Sequence, residues 1–186
     1  MRSSSPARER ESSASLAVAI IDLSRDQGWT IGTAESLTGG LLASALVSVP
    51  GASHVVRGGI VAYAADLKRT VLGVGDEVIS AYGTVSQQCA EAMGAGACRV
   101  LTADFGVATT GVAGPDASEG HPPGTIHLAV AGGPKDREEV TVHEALHMRG
   151  SRSQIRAEAT RAGLSLLLNT LQKHGPNARA IRGGVR

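Results

Sequence analysis

Apolar positions along the chain change period several times, and each change marks an element. Leu16, Ile20 and Leu23 recur at helical spacing, and Gly28 closes that helix before a short strand, TIGTA, at 30–34. A second helix runs to about Val47, with Ser36 or Thr38 placed to cap it. The β-branched run HVVRGGIVAYAA, 54–65, predicts a strand with a bulge or a close approach at Gly58 and Gly59. DLKRTVLGV, 66–74, predicts a short helix. Ser86 caps a longer one, QQCAEAMGAGACRVL, whose Gly94, Ala95, Gly96 and Ala97 admit a closely packed neighbour. Three strands come next: DFGVATTG at 104–111, TIHLAVA at 125–131, and EEVTVHEAL at 138–146. The first two are joined by a loop with Gly, Pro and Asp chemistry. A last helix starts near Ser151, ends near His174 and turns Ile155, Ala159, Ala162 and Leu166 inward. Helices alternate with strands in the first half and strands gather in the second. The expected fold is therefore a single α/β domain, a three-layer α/β/α unit with a mixed sheet. Residues 13–174 form it, and the polar segments 1–12 and 175–186, the latter basic, are expected to be disordered tails.

Composition narrows the function classes. A chain of 186 residues with 42% hydrophobic content builds one core. Its 18 basic and 17 acidic side chains leave a net charge of +1, and only 2% of residues are aromatic. Neither an electrostatic footprint nor stacking platforms for nucleic acid are present, so no nucleic-acid partner is expected. Cys89 and Cys98 lie nine positions apart in one predicted helix, hence on opposite faces, and do not pair. Free thiols without the basic neighbours of an activated thiolate suit a reducing compartment. No apolar run reaches the length of a membrane span and the first residues lack the apolar middle of a signal peptide, so a soluble, cytoplasmic protein without a membrane partner is expected.

One motif misleads. HEALH, His143 to His147, matches the zinc-peptidase string, which needs both histidines one helical turn apart. Here Val140, Val142, Glu144, Leu146 and Met148 alternate with the intervening residues at the period of a strand. Four strand residues separate the two imidazoles by about 13 Å, too far for one zinc ion. His54, His121, His127 and His174 have no ligand spacing, so no metal is expected. GVG at 73–75 is a turn lacking the third glycine of a dinucleotide fingerprint, and no Walker A loop occurs. No cofactor is expected either.

The chemistry concentrates in TAESLTGG, 33–40, where a strand passes through a polar turn and a glycine pair into a helix. Such a turn aims free N–H groups and the positive helix end at an anion, a phosphate or an oxyanion. Simple capping, with Gly39 and Gly40 serving close packing, explains the same residues equally well. In YAADLK, Tyr63 ends a strand and Lys68 lies in the next helix, both at the strand end where ligands gather in open α/β sheets. A desolvated lysine can take the proton of a serine nucleophile. Spacing alone does not bring Ser36 and Lys68 together.

TAESLTGG, GGIVAYAADLK, GTVSQQCAEAM, TTGVAGPD and PPGTIHLAV together resemble, in order and spacing, the CinA C-terminal-domain family of nicotinamide-nucleotide amidohydrolases, in its stand-alone form. The likeness spans about 13–172. It implies hydrolysis of the carboxamide of nicotinamide mononucleotide to nicotinate mononucleotide and ammonia, in pyridine-nucleotide recycling. It also implies Ser36 as nucleophile, Lys68 as general base and Tyr63 beside them. Around the substrate it implies Glu35, Thr110, Gly111 and a basic residue at Arg152; the N–H groups of Thr38, Gly39 and Gly40 are candidates to hold the oxyanion or the phosphate, and the Arg152 guanidinium fork is a candidate partner for the phosphate. This chain departs from the family at Ala117 and Ser118, where glycine commonly comes after GPD, and in having PPGT for PVGT. Two alternatives stay open: a non-catalytic nucleotide-binding or regulatory module, and an amidase for another small substrate. A homodimer is the expected assembly.

Overall fold

The first helix, α1 (Ser13–Gln27), begins at Ser12, whose hydroxyl accepts from the N–H of Ser15. It ends at Gly28, in the left-handed region at φ 68°, as a glycine after a helix permits. Strand β1 (Ile31–Glu35) is next, then α2 (Leu41–Val47), a 3-10 turn (Ala52–His54) and β2 (Val56–Val61). The chain continues through α3 (Ala65–Thr70), α4 (Asp76–Tyr82), α5 (Gln87–Leu101), β3 (Phe105–Gly111), β4 (Thr125–Gly132), β5 (Val140–His147) and α6 (Arg152–His174). The computed structural model describes residues 11–134 and 139–175. The expected tails lie outside the described residues except at their inner ends, where Ser12 caps α1 and Gly175 bonds back to Leu171 and Gln172 of α6.

The strands form one sheet in the order β2-β1-β3-β4-β5. β2, β1 and β3 run parallel, while β3, β4 and β5 pair antiparallel, which makes the sheet mixed. Five strands with α-helices on both faces give the expected three-layer fold. One apolar layer, with Ile20, Ile31, Phe105, Leu128 and Leu167, fills the space under α1, α2 and α6. The other, with Ala34, Leu72, Met93 and Ala108, lies under α5 and is built of smaller residues, because α5 approaches closely. Gly94 packs against the carbonyl of Gly106, and Gly96 packs against Leu72. A side chain at Gly96 would collide with the Leu72 carbonyl and one at Gly94 would press on the Gly106 carbonyl, so the small-residue stretch of α5 does admit its neighbours.

The glycine pair in β2 shows both predicted features. The ladder to β1 skips Arg57 between Val56 and Gly58, a bulge, and Gly59 lies against Thr33 and Ala43. Two expectations are corrected. Neither Ser36 nor Thr38 caps α2: its N-cap is Gly40, at φ 96° and with no side-chain cap bond. In addition, α4 is a helix that the sequence pattern does not predict, since none of its residues is buried and no apolar stripe announces it. HEALH lies in β5, as its alternation requires, and among the described residues no group of three metal-ligating side chains converges. No described helix is long and apolar enough to cross a membrane.

Candidate active site

Three parallel strands deliver their carboxyl ends to one edge, and the segments that leave those ends build the site. Successive residues of a strand point to opposite faces, so Glu35 and the residue after it diverge. Glu35 turns toward α2 and Ser36 toward α3 and α5. The N–H of Ser36 bonds Thr109 O at 2.9 Å, continuing the β1–β3 ladder and fixing the serine backbone.

Lys68, on α3, reaches back under the end of β2. Its Nζ lies 3.2 Å from Ser36 Oγ, 2.8 Å from Ala62 O and 3.1 Å from Tyr63 O. Lys68 is 1% exposed and Ser36 8%. Burial lowers the lysine's pKa from its usual 10.5, and the neighbouring Cys89 and Glu119 only partly oppose that. Three oxygens thus surround the amine, a set that serves both of its protonation states. As an ammonium it donates to all three oxygens; with its proton lost, two N–H bonds stay on the carbonyls and the lone pair turns to the serine hydroxyl. Cys89 thus has a basic neighbour after all, contrary to expectation. Burial nonetheless pushes its thiol up to about 11, so it is no thiolate, and Cys98 is likewise pushed up to about 11. Both cysteines are free.

Glu35 is the residue whose position departs most from expectation. It is fully buried and faces away from Ser36. Oε2 accepts from Thr38 Oγ1 (2.7 Å), Gly40 N (2.9 Å) and Leu42 N (3.1 Å), and Oε1 from Thr33 Oγ1 (3.1 Å) and Ala43 N (2.8 Å). The anion at the start of α2 is therefore Glu35 itself, satisfying N–H groups that the helix leaves open. This removes Glu35 from the substrate-facing set and fills the expected anion cradle from within the protein. The N–H of Gly39 is also taken, by Ser36 O at 3.1 Å. Thr38 is buried, and because its hydroxyl proton goes to Glu35, Thr109 Oγ1 donates to it at 2.8 Å. Its side chain, too, points inward rather than at a ligand.

The remaining candidates surround the opening. Tyr63 is 60% exposed, and its phenol oxygen accepts from Arg152 Nη2 at 3.1 Å. Arg152 Nη1 also holds Gly114 O at 2.8 Å, joining the loop after β3 to the end of β2. Thr110 is buried, its hydroxyl bonded to Thr84 O at 2.7 Å, and Gly111 ends β3 beside it. Arg156 is an addition that the sequence reading lacks. One turn beyond Arg152, it donates to Leu37 O and Thr38 O, each at 2.8 Å, and so fixes the turn that carries Ser36. Its signal is the spacing of four from Arg152 on the face of α6 that meets this turn.

Fold and site together define a single-domain α/β protein with a buried serine–lysine pair at the carboxyl ends of parallel strands. The CinA C-terminal domain family model matches residues 13–171, and the chain belongs to that family. A CinA-like protein of Frankia casuarinae is 43% identical over 157 residues, 84% of this chain and 35% of that protein. A Geobacillus kaustophilus protein named for competence and damage induction is 44% identical over 147 residues, 79% of this chain and 34% of its own length. The chain thus spans about a third of the curated relatives it matches. Among solved structures, a CinA superfamily protein of Enterobacter cloacae superposes with a TM-score of 0.83 at 28% identity, covering 92% of this chain and 99% of its own. A competence/damage inducible protein of Agrobacterium tumefaciens gives 0.78 at 39% identity, covering 84% and 95%.

Proposed function

We propose that the domain hydrolyses a carboxamide through Ser36 as nucleophile and Lys68 as its general base, with nicotinamide mononucleotide as substrate. The observation that carries the reading is the position of the lysine amine, held by Ala62 O and Tyr63 O with Ser36 Oγ at 3.2 Å. Lys68 accepts the hydroxyl proton as Oγ attacks the amide carbon. The same proton then goes to the departing amine, so ammonia leaves and an acyl-enzyme remains. Water, giving its proton to Lys68, cleaves the ester and restores Ser36. The N–H groups of Leu37 and Thr38, which directly follow the nucleophile, are assigned as the oxyanion donors in this reading. The substrate's pyridinium draws electrons from the amide and disfavours a charged lysine beside it; both effects favour attack.

Arg152 supports the nucleotide part of the reading. Two of its five N–H donors hold Gly114 O and Tyr63 Oη, and the others are left for a phosphate on the rim. The test is ammonia release from nicotinamide mononucleotide, nicotinamide riboside and nicotinamide, each with wild type and Arg152→Ala. The expected pattern is turnover of the phosphorylated substrate, with KM raised about tenfold or more by Arg152→Ala and little change for the others. Equal turnover of all three amides would favour an amidase for other small substrates. Tight nucleotide binding without ammonia would favour a regulatory module.

A further inference from the structure

The loop between β3 and β4 closes into a two-residue hairpin at Ser118 and His121. Ser118 N bonds His121 O at 3.1 Å and His121 N bonds Ser118 O at 2.9 Å. Its central residues are Glu119 at φ 50° and Gly120 at φ 78°. Gly120 adopts that region freely; Glu119 does so at a cost, so something must hold it there. Its carboxylate accepts from Thr84 N at 2.7 Å and from Thr84 Oγ1 at 2.6 Å. Thr84 is in turn fastened to β3 through Thr110 Oγ1. Two residues on, Ser86 bonds Gly83 O at 3.0 Å and accepts from Cys89 N at 3.2 Å, capping α5. Cys89 is the α5 residue that lies beside Lys68. Gly83 is at φ 75°, and a side chain there would displace the Glu119 carboxylate.

We infer that Glu119 is a positioning residue: its carboxylate latches the β3–β4 loop to the segment entering α5, making the loop a fixed wall of the Ser36–Lys68 site. The latch stands on this geometry alone, and its effect on Lys68 rests on the serine–lysine reading. Partial burial pushes the Glu119 carboxyl up, but the hydrogen bonds from Thr84 and Val85 outweigh that and hold it below its usual range. Its charge then faces Lys68, as the Cys89 thiol also does, and favours the lysine's proton.

Two measurements on the full chain test the proposal. In hydrogen exchange, Glu119→Ala should speed exchange about tenfold or more in 83–90 and 112–124 while leaving α1 and α6 unchanged. In the second, Ser36 is modified by an aliphatic sulfonyl fluoride and read by mass spectrometry across pH. Glu119→Gln should move the midpoint of that reaction to lower pH, because Lys68 loses a neighbouring negative charge. Unchanged exchange in Glu119→Ala, or an unmoved midpoint in Glu119→Gln, overturns the proposal. A wild-type Ser36 that the reagent does not modify contradicts the catalytic reading instead, and exchange then decides the latch.

Discussion

Lys68 and Glu35 are both buried ionisable side chains at the end of β1 or beside it, and their surroundings give them opposite duties. Glu35 has five donors and no open direction, so it is structural. Lys68 has two carbonyls, one hydroxyl and a lowered pKa, which is what the proposed role of general base requires. The depressed pKa has a consequence for stability. Between the folded pKa and 10.5 the unfolded chain binds more protons at this lysine than the folded one, so stability rises with pH across that window and is lost as pH falls through it. Urea unfolding of wild type and Lys68→Met at a series of pH values should show a gap that grows in favour of wild type as pH rises toward 10.5. A gap independent of pH would mean that Lys68 is not desolvated. The sequence points to Ser36 and Lys68 only through resemblance, since 32 residues of separation say nothing of a 3.2 Å contact. Resemblance also places Glu35 on the wrong side of β1, although the alternation of a strand already sends neighbours 35 and 36 to opposite faces.

At the scale of elements, α2 and α6 matter most. Only seven residues long and without a side-chain cap of its own, α2 depends on a carboxylate supplied by the strand before it. Glu35→Gln replaces one acceptor with an amide that faces N–H groups, and should cost about 2–4 kcal/mol in chemical unfolding, with exchange speeding first in α2. α6 starts with a capping box between Ser151 and Gln154, legible in the sequence as a start near Ser151. Its first turns then hold two loops by arginine. Arg156→Ala frees the carbonyls of Leu37 and Thr38, and should lower kcat by about ten- to a hundredfold with little change in melting temperature. A drop in Tm without a drop in kcat would make Arg156 a purely structural tie. The long helices are legible because caps and apolar spacing agree. By contrast, α4 turns only the half-buried Val78 and Ile79 onto the core, and the cap of α2 comes from a residue five positions before Gly40, outside any local capping pattern.

For the whole molecule, the mixed sheet places the reactive end on β2, β1 and β3 and leaves β5 at the other edge. There His127 Nδ1 and His143 Nε2 meet at 3.1 Å across β4 and β5, with rings stacked at 5.3 Å. Their pairing is not legible in sequence, where His143 belongs to HEALH and His127 has no ligand spacing, because the contact spans two strands. Burial first, then the charges of His143 and His121, lower the His127 pKa below 6.5. Stability from this group is therefore full above pH 6.5 and declines as pH falls toward the lower folded value, where the unfolded chain takes up the proton first. The melting temperature of wild type should fall below pH 6.5 more steeply than that of His127→Gln. Equal slopes would mean that the histidine pair does not couple folding to pH.

The serine–lysine assignment is tested most directly by ammonia release from nicotinamide mononucleotide, measured side by side for wild type, Ser36→Ala and Lys68→Ala, each confirmed folded by circular dichroism. Wild type should turn over along a limb that rises with pH well below the usual lysine value of 10.5, and both variants should lose about a thousandfold or more of kcat. Near-normal ammonia release from pure, folded Ser36→Ala protein would contradict the assignment.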